Sequence, residues 1–298
     1  MKNIITALAV FSLISFPCFA SGSPEYWGQG ANVPPSVPEY MVFAGDTVRF
    51  GRPDLYERMD RELMNFSYMH STSTLMLKRS SRYFPVIEPI LKEQGIPDDL
   101  KYLMVIESSL DPKALSRAGA AGLWQFTKST ARTIGLEVSD EVDERYHIVK
   151  ETLAACRYLK EARSKYSDWM TVAASYNGGM NGISRKLAEQ GEESALDLWL
   201  VEETARYMFR ILAAKMFFEN PRAFGFDVPM EKRYKPIPVA HFVKVDGPVE
   251  SLAEFAKGHG VSYAELKAAN LWLRDTKLVN KAGKTYVIDI PARISEGR

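Results

Sequence analysis

Glu107 is the carboxylate in this 298-residue chain whose position asks for an explanation. Leu100, Leu103, Met104 and Glu107 follow one another at spacings of three, one and three, which puts all four on one helix face turned into the protein. Pro97 suits a first-turn position, and Asp98 and Asp99 place negative charge at the positive end of the helix dipole. Asp111-Pro112 predicts the stop, which leaves Glu107 near the C-terminal end. Apolar surroundings and a negative helix end both favour the protonated carboxyl. An acid that keeps its proton near neutrality can protonate a leaving group. Glutamates on apolar faces also occur as snorkelling surface residues or as members of buried ion pairs, so spacing alone leaves the role open.

Three later segments combine polar side chains with glycines or a helix end. In Gly122-Leu123-Trp124-Gln125, a glycine exposes backbone beside a side-chain amide. A glycine turn followed by a core tryptophan accounts for Gly122 and Trp124 but not for Gln125. Tyr176-Asn177-Gly178-Gly179 ends a helix with groups suited to hydrogen bonding a sugar, and equally with residues suited to a left-handed C-cap. Glu203-Thr204 and Tyr207 open another helix, where a glutamate also compensates the dipole.

The elements that must hold these groups read as mainly helical. One helix starts near Asp54 with Leu55, Met59, Leu63 and Phe66 as its stripe. A second spans residues 72–94, interrupted or kinked near Pro85 and Pro89. After Gln125 come a short helix ending at Gly135, one over residues 143–166 with Val149, Leu153, Cys156 and Leu159 as its stripe, one over 168–176, and one over 202–218. Ahead of them, residues 21–53 form an N-terminal arm that includes two strand-like runs around a Gly45-Asp46 turn. Residues 221–238 read as a linker, and residues 239–292 as a small strand-helix-helix-strand unit.

A net charge of +1 offers no basic excess, so no nucleic-acid partner is expected. Residues 1–20 have a basic start, an apolar run and small residues at Cys18 and Ala20, which predicts a signal peptide and export. Pro17 and Phe16 stand where a lipidation signal has small residues. With Cys18 removed, Cys156 is alone, so neither a disulfide nor a thiolate metal cluster is expected, and no cofactor motif is present.

Taken together, the segments resemble the lytic transglycosylases of the Slt type, especially the membrane-bound D branch with a C-terminal LysM unit. The Glu-Ser pair falls on Glu107-Ser108, a downstream cleft serine on Ser116, and Gly-Leu-x-Gln on Gly122-Leu123-Trp124-Gln125. The tyrosine-asparagine segment falls on Ser175-Tyr176-Asn177-Gly178-Gly179, the Glu-Thr-x-x-Tyr segment on Glu203-Thr204-Ala205-Arg206-Tyr207, and a further signature on Asp143-Glu144-Arg145. Ser175 replaces the usual alanine, Thr127 a methionine, and Tyr146-His147 an Asp-Pro pair.

The resemblance implies a lysozyme-like (goose-type, Slt-like) helical domain over residues 54–220 and a LysM-like α+β module over 239–292. It implies Glu107 as catalyst; Ser116, Gln125, Tyr176, Asn177 and Tyr207 as substrate-binding residues; and Gly122 and Glu203 as supports, the latter as a buried glutamate on the cleft floor. No second carboxylate is evident beside Glu107, whereas ordinary glycosidases need a pair. A single acid suffices for a lyase that cuts the bond between N-acetylmuramic acid and N-acetylglucosamine and closes a 1,6-anhydro ring. The implied partner is peptidoglycan, reached in the periplasm, with peripheral association with the outer membrane allowed. In the C-terminal unit, Asp246-Gly247-Pro248-Val249 departs from the usual Gly-Asp-Thr-Leu, so the fold is expected more firmly than strong glycan binding. A weak second site on a tether would still raise local substrate concentration. A lysozyme-type hydrolase and a non-catalytic peptidoglycan-binding protein are the competing readings.

Overall fold

The computed structural model describes residues 33–281 and 283–292. The expected signal peptide and residues 21–32 of the arm lie outside the described residues.

An antiparallel hairpin, β1 (Tyr40–Phe43) and β2 (Asp46–Arg49), pairs Tyr40 with Arg49 and Phe43 with Asp46. Its turn is Ala44-Gly45, both at positive φ, one residue before the Gly-Asp turn expected from sequence. Phe43 and Val48 are buried, and the hairpin is pinned where the Ala44 amide donates to Asp99 at 2.8 Å and the Trp169 amide to Asp46 at 2.6 Å.

Helix α1 (Pro53–Tyr68) buries the predicted Leu55, Met59, Leu63 and Phe66. Helix α2 (His70–Glu93) runs unbroken through Pro85 and Pro89, contrary to the interruption allowed from sequence. Both prolines are exposed and one turn apart, so the missing donors fall on the solvent face, where water can satisfy the freed carbonyls. A 3-10 turn at Asp98–Leu100 leads into α3 (Lys101–Ser108), which is the centre of the core, with Leu103, Met104 and Val105 fully buried.

Helix α4 (Lys128–Thr133) is capped by Thr127, whose side chain accepts from the Thr130 amide. Thr127 therefore has a local structural use. Helix α5 (Ile148–Lys165) starts later than expected because residues 144–146 form a 3-10 turn. Its buried stripe is Glu151, Ala154, Ala155, Cys156, Leu159 and Ala162, while Val149 is exposed and Leu153 only half-buried. The alanines allow close packing that favours their face over the larger aliphatics. Helix α6 (Trp169–Gly178) buries Ser175, whose hydroxyl is satisfied by the Val172 carbonyl at 2.7 Å. Helix α7 (Met180–Gln190) was not expected; it packs Met180, Ile183 and Leu187 against the core. Helix α8 (Glu202–Glu219) lies against α1, α3 and α6 and buries both Tyr207 and Phe217.

Residues 221–238 are not a free linker. Phe224 and Phe226 are buried and set their ring edges against Phe217. The Tyr234 amide donates to the Lys78 carbonyl at 3.0 Å and Arg82 to that of Lys235 at 2.8 Å, strapping the segment to α2. Proline and lysine content gave the appearance of a solvated tether, but three aromatics anchor it.

The C-terminal module is β3 (Val239–Val245), α9 (Leu252–Gly258), α10 (Tyr263–Ala269) and β4 (Tyr286–Pro291), with β3 and β4 antiparallel. Ser262 and Glu265 form a capping box that fixes the start of α10. The module is docked, not tethered. Its core of Leu252, Leu266 and Ile288 continues into Ala121, Val142 and Tyr146 of the larger region. The Asp143 amide donates to the Trp272 carbonyl at 2.9 Å, that of Arg274 to the Glu141 carbonyl at 2.7 Å, and His147 stacks on Trp272. The loop over residues 271–280 is thereby partly spent on this contact.

Candidate active site

Ser109 and Leu110 adopt left-handed φ values of 51° and 59°, which ends α3 at Ser108, before the Asp111-Pro112 stop is reached. Glu107 is held in the last turn. Its Oε1 accepts a 2.7 Å hydrogen bond from the Tyr207 hydroxyl across from α8. Burial pushes the Glu107 carboxyl up to about 7; the Tyr207 bond opposes the shift and the charge of Glu203 adds to it. The Tyr207 phenol is 3% exposed and its pKa is raised well above 10.0, first by burial and then by Glu107, so it keeps its proton and serves as the donor.

Glu203 corrects the sequence reading. It is exposed, one turn before Tyr207 on α8, and not buried on a cleft floor. A first-turn position on α8 leaves its side chain in water, yet near enough to Glu107 for its charge to matter.

The buried glutamate is Glu151, which the sequence reading missed. It is fully buried on α5, and its Oε2 accepts from the Trp124 amide at 3.1 Å. Burial raises its pKa well above 4.5, while the backbone of Leu123 and Trp124 pulls the other way. Its Oε1 has no hydrogen-bond partner among the described residues. Gly122 sits over it at φ 83°, where a Cβ would lie 1.7 Å from the Arg145 carbonyl oxygen and 2.5 Å from Glu151 Oε2. Only glycine fits there, which lets the loop close over Glu151.

The loop that follows is cross-tied. Trp124 is fully buried and its indole donates to Thr152 at 3.0 Å. Gln125, at φ 51°, donates its amide to the carbonyls of Gly122 at 2.8 Å and Ala114 at 3.2 Å. The Tyr176 hydroxyl donates to the Trp124 carbonyl at 2.7 Å. Arg145 is buried in a bidentate pair with Asp143 and donates to the carbonyls of Gly119 at 2.7 Å and Phe126 at 3.0 Å. The Asp143-Glu144-Arg145 signature thus has a role: it closes the loop that carries Ser116 and Gln125.

The structure brings together Glu107 and Tyr207, with Tyr176 close enough for the Glu107 charge to raise its phenol. It does not show Ser116 or Asn177 in contact with Glu107. Ser116 is exposed and closes a turn by accepting from the Ala120 amide at 3.0 Å. Asn177 Oδ1 accepts from the Thr204 hydroxyl at 2.8 Å, joining α6 to α8. Among the described residues no group of three histidine, cysteine, aspartate or glutamate side chains could hold a metal ion. A helix-spacing argument could find Glu107. Nothing local marks Glu151, because its partners lie 27 residues away.

A family model described as Transglycosylase SLT domain matches residues 84–198. A second, Soluble lytic transglycosylase C-terminal LysM-like domain, matches residues 241–294. Membrane-bound lytic murein transglycosylase D of Escherichia coli (strain K12) is 28% identical over 272 residues, covering 89% of this chain and 58% of its own length. Membrane-bound lytic murein transglycosylase F of Salmonella choleraesuis is 31% identical over 126 residues, covering 39% of this chain and 23% of its own. The chain therefore spans under two thirds of these relatives. A solved structure of an inactive mutant of lytic transglycosylase Slt from Pseudomonas aeruginosa aligns over 50% of this chain and 26% of its own, at 20% identity and a TM-score of 0.38, too remote to bear on the site.

Proposed function

Because the chain carries a transglycosylase SLT domain and a LysM-like C-terminal domain and is homologous to membrane-bound lytic murein transglycosylase D, we propose that it is a peptidoglycan lytic transglycosylase with Glu107 as its acid and then its base. The observation that carries this reading is the half-buried Glu107 carboxyl, bonded by Tyr207 and raised to about 7. At neutral pH such a group is partly protonated and, once ionised, is a competent base.

Glu107 donates its proton to the oxygen bridging N-acetylmuramic acid and N-acetylglucosamine as the bond from C1 breaks. The 2-acetamido oxygen of the muramyl residue shields the developing cation. The Glu107 carboxylate, stabilised by the Tyr207 hydroxyl, then takes the proton from O6 of the same sugar while O6 bonds to C1. The ring closes, the acid is regenerated and no water is consumed. Polar atoms on the Gly122 loop and at the end of α6 serve the sugars: Gln125 Oε1 and Asn177 Nδ2 have no protein partner among the described residues. Ser116, Tyr176 and Tyr207 shape the cleft around them. A signal peptide over residues 1–20, read from sequence, would carry the protein to the periplasm and its substrate.

One observation favours a second reading. Glu203 is a second carboxylate whose charge reaches Glu107, and a hydrolase uses such a group to activate water. Product mass decides. Purified protein on peptidoglycan is expected to release anhydro-muramyl ends, lost in Glu107→Gln by roughly 10³-fold or more. Reducing ends one water heavier, abolished by Glu203→Gln, would replace the lyase with a hydrolase.

A further inference from the structure

Between α1, α2, α3 and α8 lies a cavity of about 300 Å³. Its wall includes Asn65, Thr72, Ile106, Ser109, Arg206 and Arg210. Ile106 and Arg206 immediately precede Glu107 and Tyr207, so both sites share two helices. Glu62, 1% exposed, organises the cavity. It accepts from Arg206 Nε at 2.7 Å and Nη2 at 3.3 Å and from Asn65 at 2.9 Å, with Arg61 Nε at 3.4 Å and Arg210 Nε at 3.7 Å. Arg61 is shared with Glu202 at 2.6 Å.

Of these groups Arg206, Arg210 and Glu62 line the cavity, two guanidiniums against one carboxylate, while Arg61 and Glu202 lie outside its wall. Arg206 Nη1 and both terminal nitrogens of Arg210 have no protein partner among the described residues. A recess with uncommitted guanidinium N–H groups suits a carboxylate, which they can grip in a bidentate fork. Phe66, Met76 and Val105 line the wall beside Thr72, Ser73 and Ser109, which gives small aliphatic side chains a surface to pack on. The substrate of the function proposed above offers such a group, since muramyl residues carry short peptides with free carboxylates.

We propose that this cavity binds a carboxylate of the peptide attached to the glycan strand, with Arg206 and Arg210 as its donors; the inference rests on the peptidoglycan reading. Glu62 pre-arranges the arginines, and substrate supplies the missing negative charge. The site would make peptide-bearing strands better substrates than bare ones.

The test compares kcat/KM for release of anhydro ends on peptidoglycan and on strands stripped of peptide by an amidase. Wild type is expected to prefer the peptide-bearing substrate by roughly tenfold. Arg210→Gln is expected to abolish that preference through loss on the peptide-bearing substrate, and Arg210→Lys to restore part of it. No preference in the wild type, or equal losses on both substrates, would overturn the proposal. Calorimetric titration of Glu107→Gln protein with an alanine-terminated pentapeptide separates the two readings. Binding that disappears on adding Arg210→Gln upholds the cavity even if the wild type releases no anhydro ends, in which case the proposed reaction is what fails. Absence of peptide binding overturns the cavity whatever the products.

Discussion

Glu107 and Glu151 are both carboxyls that burial drives toward the protonated form, yet the two regions around them do opposite things. Glu107, half-buried in the last turn of a helix, meets a phenol that stabilises its carboxylate, so its proton can leave. Glu151 is sealed under Gly122, with one oxygen committed to the Trp124 amide and a second without a partner among the described residues. Desolvation alone therefore does not make a catalyst. Access and a partner that stabilises the ionised form distinguish the acid from the clamp.

That contrast breaks hardest at Gly122. Gly122→Ala puts a methyl inside the Arg145 carbonyl and is expected to cost more than about 4 kcal/mol, seen as loss of soluble folded protein. Glu151→Ala leaves buried amides unpaired and is expected to cost about 3 kcal/mol in urea denaturation. Glu151→Gln keeps a neutral acceptor and should cost under about 1 kcal/mol. If Gln is as damaging as Ala, Glu151 is held as a charge and the comparison fails.

Glu107 should show the reverse, a functional group that costs stability. Its folded pKa of about 7 lies above the ordinary 4.5, so the folded protein binds the proton more tightly than the unfolded chain. The penalty for ionisation is absent below pH 4.5, grows as pH rises toward 7 and is complete above it. Glu107→Gln lacks the penalty. It is expected to be more stable than wild type by about 3 kcal/mol at pH 8 and by little at pH 4, measured by urea denaturation at both values.

The two neighbours of Glu107 should move its titration in opposite directions. Tyr207→Phe removes a donor that favours the carboxylate, so the alkaline limb of kcat/KM is expected at higher pH, with activity down roughly tenfold. Glu203→Gln removes a like charge, so the limb is expected at slightly lower pH with activity nearly kept. A large loss in Glu203→Gln would instead mark it as a second catalytic group.

Much of this was legible in the chain itself. Leu100, Leu103 and Met104 put Glu107 on a buried face, and the helical order to Phe218 followed from local periodicity. What escaped depends on distant partners. Glu151 among alanines has no local mark, since the loop it clamps is brought to it by the fold. Helix α7 hid behind Gly178-Gly179 and Asn181-Gly182, which read as loop although Met180, Ile183 and Leu187 keep helical spacing. Glu203 was placed on the cleft floor by family resemblance, and the structure leaves it in water. The docking of the C-terminal module escaped for a similar reason: Ala121, Val142, Tyr146 and Trp272 are too widely spaced to announce a shared surface.

The most direct test is the protonation state of Glu107, read by infrared difference spectroscopy of wild type against Glu107→Gln across pH. A carboxylic C=O band present at neutral pH and titrating near 7 is the result this account predicts. Absence of that band above about pH 5 would show an ordinary carboxylate and contradict a Glu107 that enters the reaction as an acid.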